Sequence, residues 1–226
     1  MKYRQFNTIH EMTDECVNLL RQHMQARGST PHAIMLPGGQ TPRPVYEAIR
    51  HGPFPVSPNL HVMMSDERMV PETSPENNFA QTTGMLSSLG IPSSRIMKVQ
   101  TGLSCHAAAE QYHSDISAFF ERNGRLSLAL LGLGSDGHTA SIFSRDDIRN
   151  AKGRFAIPVI RAVKPDRVSV TPATITMAEK IVFLAVGSEK EKIIGQLKQE
   201  PGSVIAGQVV EAAANVELWF SKQGNQ

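Results

Sequence analysis

Asp136 and His138 stand two residues apart in a glycine-bearing loop, Gly132-Leu133-Gly134-Ser135-Asp136-Gly137-His138-Thr139-Ala140-Ser141, that follows the apolar run 128–131. Histidine is the side chain that titrates near neutrality without help. His138 could therefore act as a general base, with Asp136 orienting or electrostatically supporting it. The same residues also fit an exposed, inert loop. Placement after a buried strand raises the functional reading, because in α/β proteins ligands bind in loops at the carboxyl ends of strands. Glycines there let the backbone approach a ligand closely.

Two further loops follow apolar runs. Pro37-Gly38-Gly39-Gln40-Thr41-Pro42 sets two glycines and a hydroxyl ahead of a helix start, which suits a phosphate. It equally suits an ordinary strand-to-helix turn with Thr41 as N-cap and Pro42 at the first helical position. It is no Walker loop, since Gly-Lys-[Ser/Thr] is absent. In Ser65-Asp66-Glu67-Arg68, Arg68 could grip a phosphate bidentately while Asp66 or Glu67 orients it or binds a sugar hydroxyl. The alternative is a solvated charged turn.

Other patterns carry less. Gly132-x-Gly134-x-x-Gly137 spells the dinucleotide fingerprint, but Asp146 and Asp147 come too early to be its acidic partner, and polar His138-Thr139 stands where an apolar helix should begin. His106, Glu110 and His113 share a helical face with no further ligand nearby, which reads as a solvated face and not a metal site. Lys164-Pro165-Asp166-Arg167 precedes a strand and could offer cations to a phosphate, or be a charged turn. No Gly-x-Ser-x-Gly elbow is present, which disfavours a serine hydrolase.

The elements that must position these loops follow from periodicity. Helices are expected over 9–27, opened by a Thr8–Glu11 capping box and closed by Gly28, then around 45–49, across Phe79, Met85 and Leu86, over 104–122, and from a second capping box at Ser188–Glu191 through Leu197. Strands are expected at 32–36, 60–64, 95–99, 126–131, 155–160, 167–170, 181–186 and 216–220, with 144–152 as loop and 221–226 as a polar tail. Short apolar strands alternating with amphipathic helices predict an α/β fold: a three-layer α/β/α sandwich around a mostly parallel, doubly wound, Rossmann-like sheet. No repeat or long linker divides the chain, so 1–226 reads as one domain.

Composition sets the outer bounds. With 226 residues, 40% hydrophobic and 19% charged, the chain has a globular composition, and its net charge of +2 gives no nucleic-acid footprint. No apolar run reaches membrane-spanning length, and the first residues form no signal-peptide pattern. Cys16 and Cys105 lie in helical patterns without zinc spacing, which suggests packed, reduced thiols and a cytoplasmic setting.

Taken together, the loops resemble the 6-phosphogluconolactonases, within the wider group of glucosamine-6-phosphate isomerase/deaminase-like folds. The resemblance spans nearly the whole chain. Gly38-Gly39-Gln40-Thr41-Pro42 is similar to that family's Gly-Gly-Ser-Thr-Pro loop, with Gln40 in place of Ser. Ser65-Asp66-Glu67-Arg68-x-Val70-Pro71, followed by Asn78, resembles its Asp-Glu-Arg segment. The stretch 132–141 matches its most specific motif, and 164–171 resembles its Lys-Pro-Pro segment, shortened. Ser221 stands near the terminus where an Asp is often found.

The resemblance implies hydrolysis of 6-phospho-D-glucono-1,5-lactone to 6-phosphogluconate in the oxidative pentose phosphate pathway, with no metal and no cofactor. It implies His138 as the base that activates water, supported by Asp136, and Gly38, Gly39, Gln40, Thr41, Asp66, Arg68 and Arg167 as the substrate-binding set. The implied partner is a phosphosugar lactone, with no nucleic acid and no membrane, and the chain a monomer or homodimer. Two alternatives stay open. Deaminases of the group share the Asp-Gly-His element but continue Ile-Ala-Phe-Asn-Glu-Pro, whereas this chain continues Thr139-Ala140-Ser141-Ile142-Phe143-Ser144 and lacks that Glu. A non-catalytic sugar-phosphate sensor would sit beside a DNA-binding module, for which the chain has no spare length.

Overall fold

The computed structural model describes residues 1–26 and 28–223. The expected helix end at Arg27 and the tail residues 224–226 lie outside them. In chain order the elements are β1 (Lys2–Phe6), α1 (Ile9–Met24), β2 (His32–Leu36), α2 (Arg43–His51), β3 (Leu60–Met64), β4 (Asp66–Arg68), α3 (Thr83–Ser88), β5 (Ile96–Met97), α4 (Cys105–Glu121), β6 (Arg125–Gly132), α5 (Arg145–Asn150), β7 (Ala156–Val159), β8 (Arg167–Val170), α6 (Pro172–Thr176), β9 (Ile181–Val186), α7 (Glu191–Gln199), α8 (Ile205–Val209) and β10 (Val216–Ser221).

Seven strands form one sheet in the order β1-β10-β9-β6-β2-β3-β5, and every pairing in it is parallel. Both faces are covered, so its central strands are apolar throughout, and the period of two only decides which core each side chain enters. Ile34, Leu36, Leu128 and Leu130 join Leu20 of α1, Ile49 of α2 and Leu86 of α3 on one face. Ala33, Met35, Ala129 and Leu131 join Tyr112 of α4 and Leu197 of α7 on the other. Each fully buried Leu or Ile contributes about 1.5–3 kcal/mol. The sheet is doubly wound: from β2 the chain steps outward to β3 and β5, then returns to β2's other side at β6 and continues to β9 and β10. Connections leaving β2 and β6 in opposite directions open a crevice at their carboxyl ends, the ligand position of this architecture.

A second sheet was not foreseen. β4, β8 and β7 pair antiparallel in that order, and their apolar residues Val168, Val170 and Ile157 pack into the same core as α4. Ser65 joins the two sheets. Its N–H donates to Leu36 O of β2 at 2.9 Å, and its carbonyl accepts from Val170 N, just past the β4 register, at 2.9 Å.

Several local expectations need correction. Residues 144–152 are not all loop: Ser144 and Asp147 form a reciprocal capping box that starts α5, a helix without buried residues and hence without apolar periodicity. Ser188 caps nothing; 188–190 is a single 3-10 turn and α7 begins at Glu191 without a side-chain cap. Thr8 does cap α1, accepting from Glu11 N at 3.1 Å, while the Glu11 carboxylate accepts from Asn7 N at 3.0 Å. Phe79 lies in turns ahead of α3. The edge strand β1, mostly exposed, and the short helices α6 and α8 carry too little periodicity to be read. Among the described residues no helix is long and apolar enough to cross a membrane.

Candidate active site

A cavity of about 310 Å³ opens at the carboxyl ends of β2 and β6, and the loops after β2, β3 and β6 all reach it. Of the residues singled out from sequence, Gly38, Gly39, Gln40, Thr41, Asp66, Arg68, His138 and Arg167 line it. Asp136 does not line it and instead backs His138.

The loop after β6 is built around the imidazole. Asp136 Oδ1 accepts from His138 Nδ1 at 2.5 Å and from His138 N at 3.2 Å. With Nδ1 donating, Nε2 carries the lone pair. A side chain at Gly134 would collide with both His138 Nδ1 and Asp136 Oδ1, so only glycine admits this approach. Gly134 N donates to His138 O at 2.8 Å, and Thr139 Oγ1 to Gly132 O at 2.9 Å, which close the loop. Burial pushes the Asp136 carboxyl up, but the hydrogen bond and charge of His138 outweigh it and hold the pKa below the ordinary value. Phe143 packs against the imidazole, ring centroids 4.5 Å apart and the planes tilted by 39°.

Across the cavity two guanidiniums sit side by side. Arg68 of β4 is register partner to Arg167 of β8, and the Nε of each is buried with no hydrogen-bond partner among the described residues. Burial and the nearby charge of Arg68 pull the Arg167 pKa below its ordinary value. Like charges opposite one another across strands are unfavourable, and an anion between them would relieve that repulsion. Asp66 tempers it, raising Arg167, while its own oxygens accept from Ser65 Oγ at 2.9 Å and Ser141 Oγ at 2.7 Å. Cys105 Sγ donates to Arg167 O at 3.1 Å and helps seat β8. Lys190, in the turn after β9, also lines the cavity. Sequence reasoning missed it by reading 188–191 as a helix cap. A lysine just past the carboxyl end of a buried strand was the available signal.

The glycine loop differs from expectation in detail. Pro42 takes the cap position of α2 with no side-chain cap bond, so Thr41 does not cap and its hydroxyl is spared. Gly39, at φ +99°, donates its N–H to Gln81 Oε1 at 2.9 Å, and a side chain at Gly38 would strike Asn78. Glu67 does not line the cavity. It is fully buried and accepts the N–H groups of Arg68, Asn78 and Phe79 at 2.7, 2.7 and 2.8 Å. Burial pushes its pKa up to about 7, against the downward pull of those three donors. Glu67 thus ties β4 to the segment that buttresses the glycine loop. No three His, Cys, Asp or Glu side chains converge on a metal position among the described residues. On the helical face once weighed for metal, Glu110 pairs with Arg154 at 2.7 Å and His113 Nδ1 accepts from Phe155 N at 3.0 Å.

The family described as glucosamine-6-phosphate isomerases/6-phosphogluconolactonase matches residues 4–219. The chain belongs to this family. It is 34% identical over 175 residues to 6-phosphogluconolactonase of Thermotoga maritima, covering 74% of this chain and 76% of that one. It is 26% identical over 226 residues to 6-phosphogluconolactonase of Haemophilus influenzae, covering 97% and 96%. The crystal structure of the Thermotoga maritima protein superposes with a TM-score of 0.83 over 98% of this chain and 99% of that one, at 28% identity. A monomeric glucosamine-6-phosphate deaminase superposes with a TM-score of 0.75 at 16% identity, a likeness of fold. Family membership accounts for the doubly wound sheet with its cleft at the β2 and β6 ends. Against the deaminase continuation, Phe143 stands where Glu would be, and it sets an aromatic ring against His138 instead of a carboxylate.

Proposed function

We propose that this chain hydrolyses 6-phospho-D-glucono-1,5-lactone to 6-phosphogluconate, with His138 as general base. The observation that carries the reading is one cavity with an oriented imidazole on one side and two anion-ready guanidiniums on the other. Membership of the family and the lactonase relatives support it.

Arg68 and Arg167, with Lys190 and the loop 38–41, hold the phosphate far from the reacting carbon. His138 Nε2 takes a proton from water as the water oxygen bonds to the lactone carbonyl carbon. The tetrahedral adduct collapses, the bond from that carbon to the ring oxygen breaks, and His138 returns the proton to the departing oxygen. The product is the open hydroxy acid, ionised at neutral pH. Asp136 stabilises the imidazolium and keeps Nε2 available. A lactone is an activated ester, so positioning and one base suffice.

The test follows decay of freshly made lactone with wild type, His138→Ala and a blank without enzyme, because the lactone also opens spontaneously. Rapid wild-type decay with the variant close to the blank is the expected result. Wild-type decay no faster than the blank overturns the reading.

A further inference from the structure

The imidazole is held at one atom by Asp136, and a single hydrogen bond leaves the ring free to tilt about it. The plane of the ring is set from the other side. Phe143 lies 4.5 Å from it at an interplanar angle of 39°, and Arg161 Cζ lies 3.7 Å from the Phe143 centroid on a face of that ring. The stack is pinned at its backbone as well. Phe143 N donates to Asp147 Oδ2 at 2.9 Å, at the start of α5, and Arg161 N donates to Asp166 Oδ1 at 2.9 Å. Arg161 forms no ion pair among the described residues; Asp166, the carboxylate beside it, pairs with Lys164 at 2.5 Å. The guanidinium lies over an aromatic face, and its charge also reaches Arg167, helping to lower that group's pKa. It belongs to the connection between β7 and β8 that leads into Arg167.

We infer that Arg161 is a positioning residue for the reaction, acting through Phe143 to fix the plane of His138. A cation held over an aromatic face is attracted to it, which favours one orientation of the Phe143 ring. Loss of the stack lets Nε2 leave the line of attack, which lowers kcat without weakening substrate binding.

The kinetic half of the test rests on the lactonase reading; the spectroscopic half does not. Arg161→Ala, Arg161→Lys and Phe143→Leu are compared with wild type for kcat and KM on the lactone. The His138 ring-proton resonances, assigned by their loss in His138→Gln, are followed by NMR. Arg161→Ala is expected to lower kcat roughly fivefold with little change in KM, Phe143→Leu to lower it more, and Arg161→Lys to recover most of the loss. The His138 ring protons are expected to be shifted by the Phe143 ring current in wild type and to move toward ordinary histidine positions in both Arg161→Ala and Phe143→Leu. A raised KM with unchanged kcat in Arg161→Ala would assign Arg161 to the phosphate and overturn the inference, as would His138 resonances that do not move. If wild type fails to hydrolyse the lactone, the functional reading falls while the resonances still decide the stack.

Discussion

The two ends of the cleft are built on opposite terms. At the His138 end the groups around the proposed base are satisfied without a ligand: Nδ1 rests on Asp136, the ring packs against Phe143, and the loop closes on its own backbone. At the arginine end, two neighbouring guanidiniums keep buried Nε atoms without partners. One end is organised in advance, as the proton transfer proposed for it would require. The other holds unmet charge that an anion neutralises, so part of the stability available to the fold is realised only on binding. Damage should read out differently at the two ends: in turnover at the first, and in binding and ligand-free stability at the second.

The largest effect expected is on turnover. His138→Ala should lower kcat by about 10²–10⁴ with little change in KM, measured against the uncatalysed background. Next, Arg167→Met should lower kcat/KM roughly 10- to 100-fold, mainly through KM, as loss of a charge-assisted phosphate contact of about 1.5–3 kcal/mol implies. The same variant should not be less stable than wild type without ligand, because it removes one of two adjacent like charges; a melting point well below wild type would break the contrast drawn between the two ends.

A third expectation lies between the two ends, at Glu67, which links β4 to the glycine-loop buttress. Its pKa is raised from 4.5 to about 7 on folding, so the native state binds more protons than the unfolded chain between those values. Stability from this group is therefore full below about pH 4.5 and is lost as pH rises to about 7, by roughly 3 kcal/mol. Urea titrations of wild type and Glu67→Gln across that range should differ in slope, with the variant flatter. The smallest effect is a shift in melting point: inorganic phosphate should raise that of wild type by a few degrees and leave Arg167→Met nearly unmoved.

The legibility of the sequence follows the same division. The parallel sheet could be read because strands buried on both faces are continuous apolar runs, and the glycine loops stand out where those runs stop. His138 and Asp136 were visible together because their contact is local, two residues apart. The small sheet was hidden because β4 is Asp-Glu-Arg, which resembles a turn, and its partners lie about a hundred residues on. The bond between Gly39 and Gln81 spans 42 positions, with no periodicity to announce it. Lys190 was obscured by a cap signal, Ser188 to Glu191, that the chain spends on a 3-10 turn.

Ser65 belongs to both sheets, bonding to β2 with its N–H and to β8 with its carbonyl. One residue therefore separates the main sheet, whose β6 loop holds His138, from the small sheet that carries Arg68 and Arg167. In mechanical terms Ser65 is a one-residue joint: a backbone change there that shifts β4 against β2 carries both arginines together relative to the loop after β6.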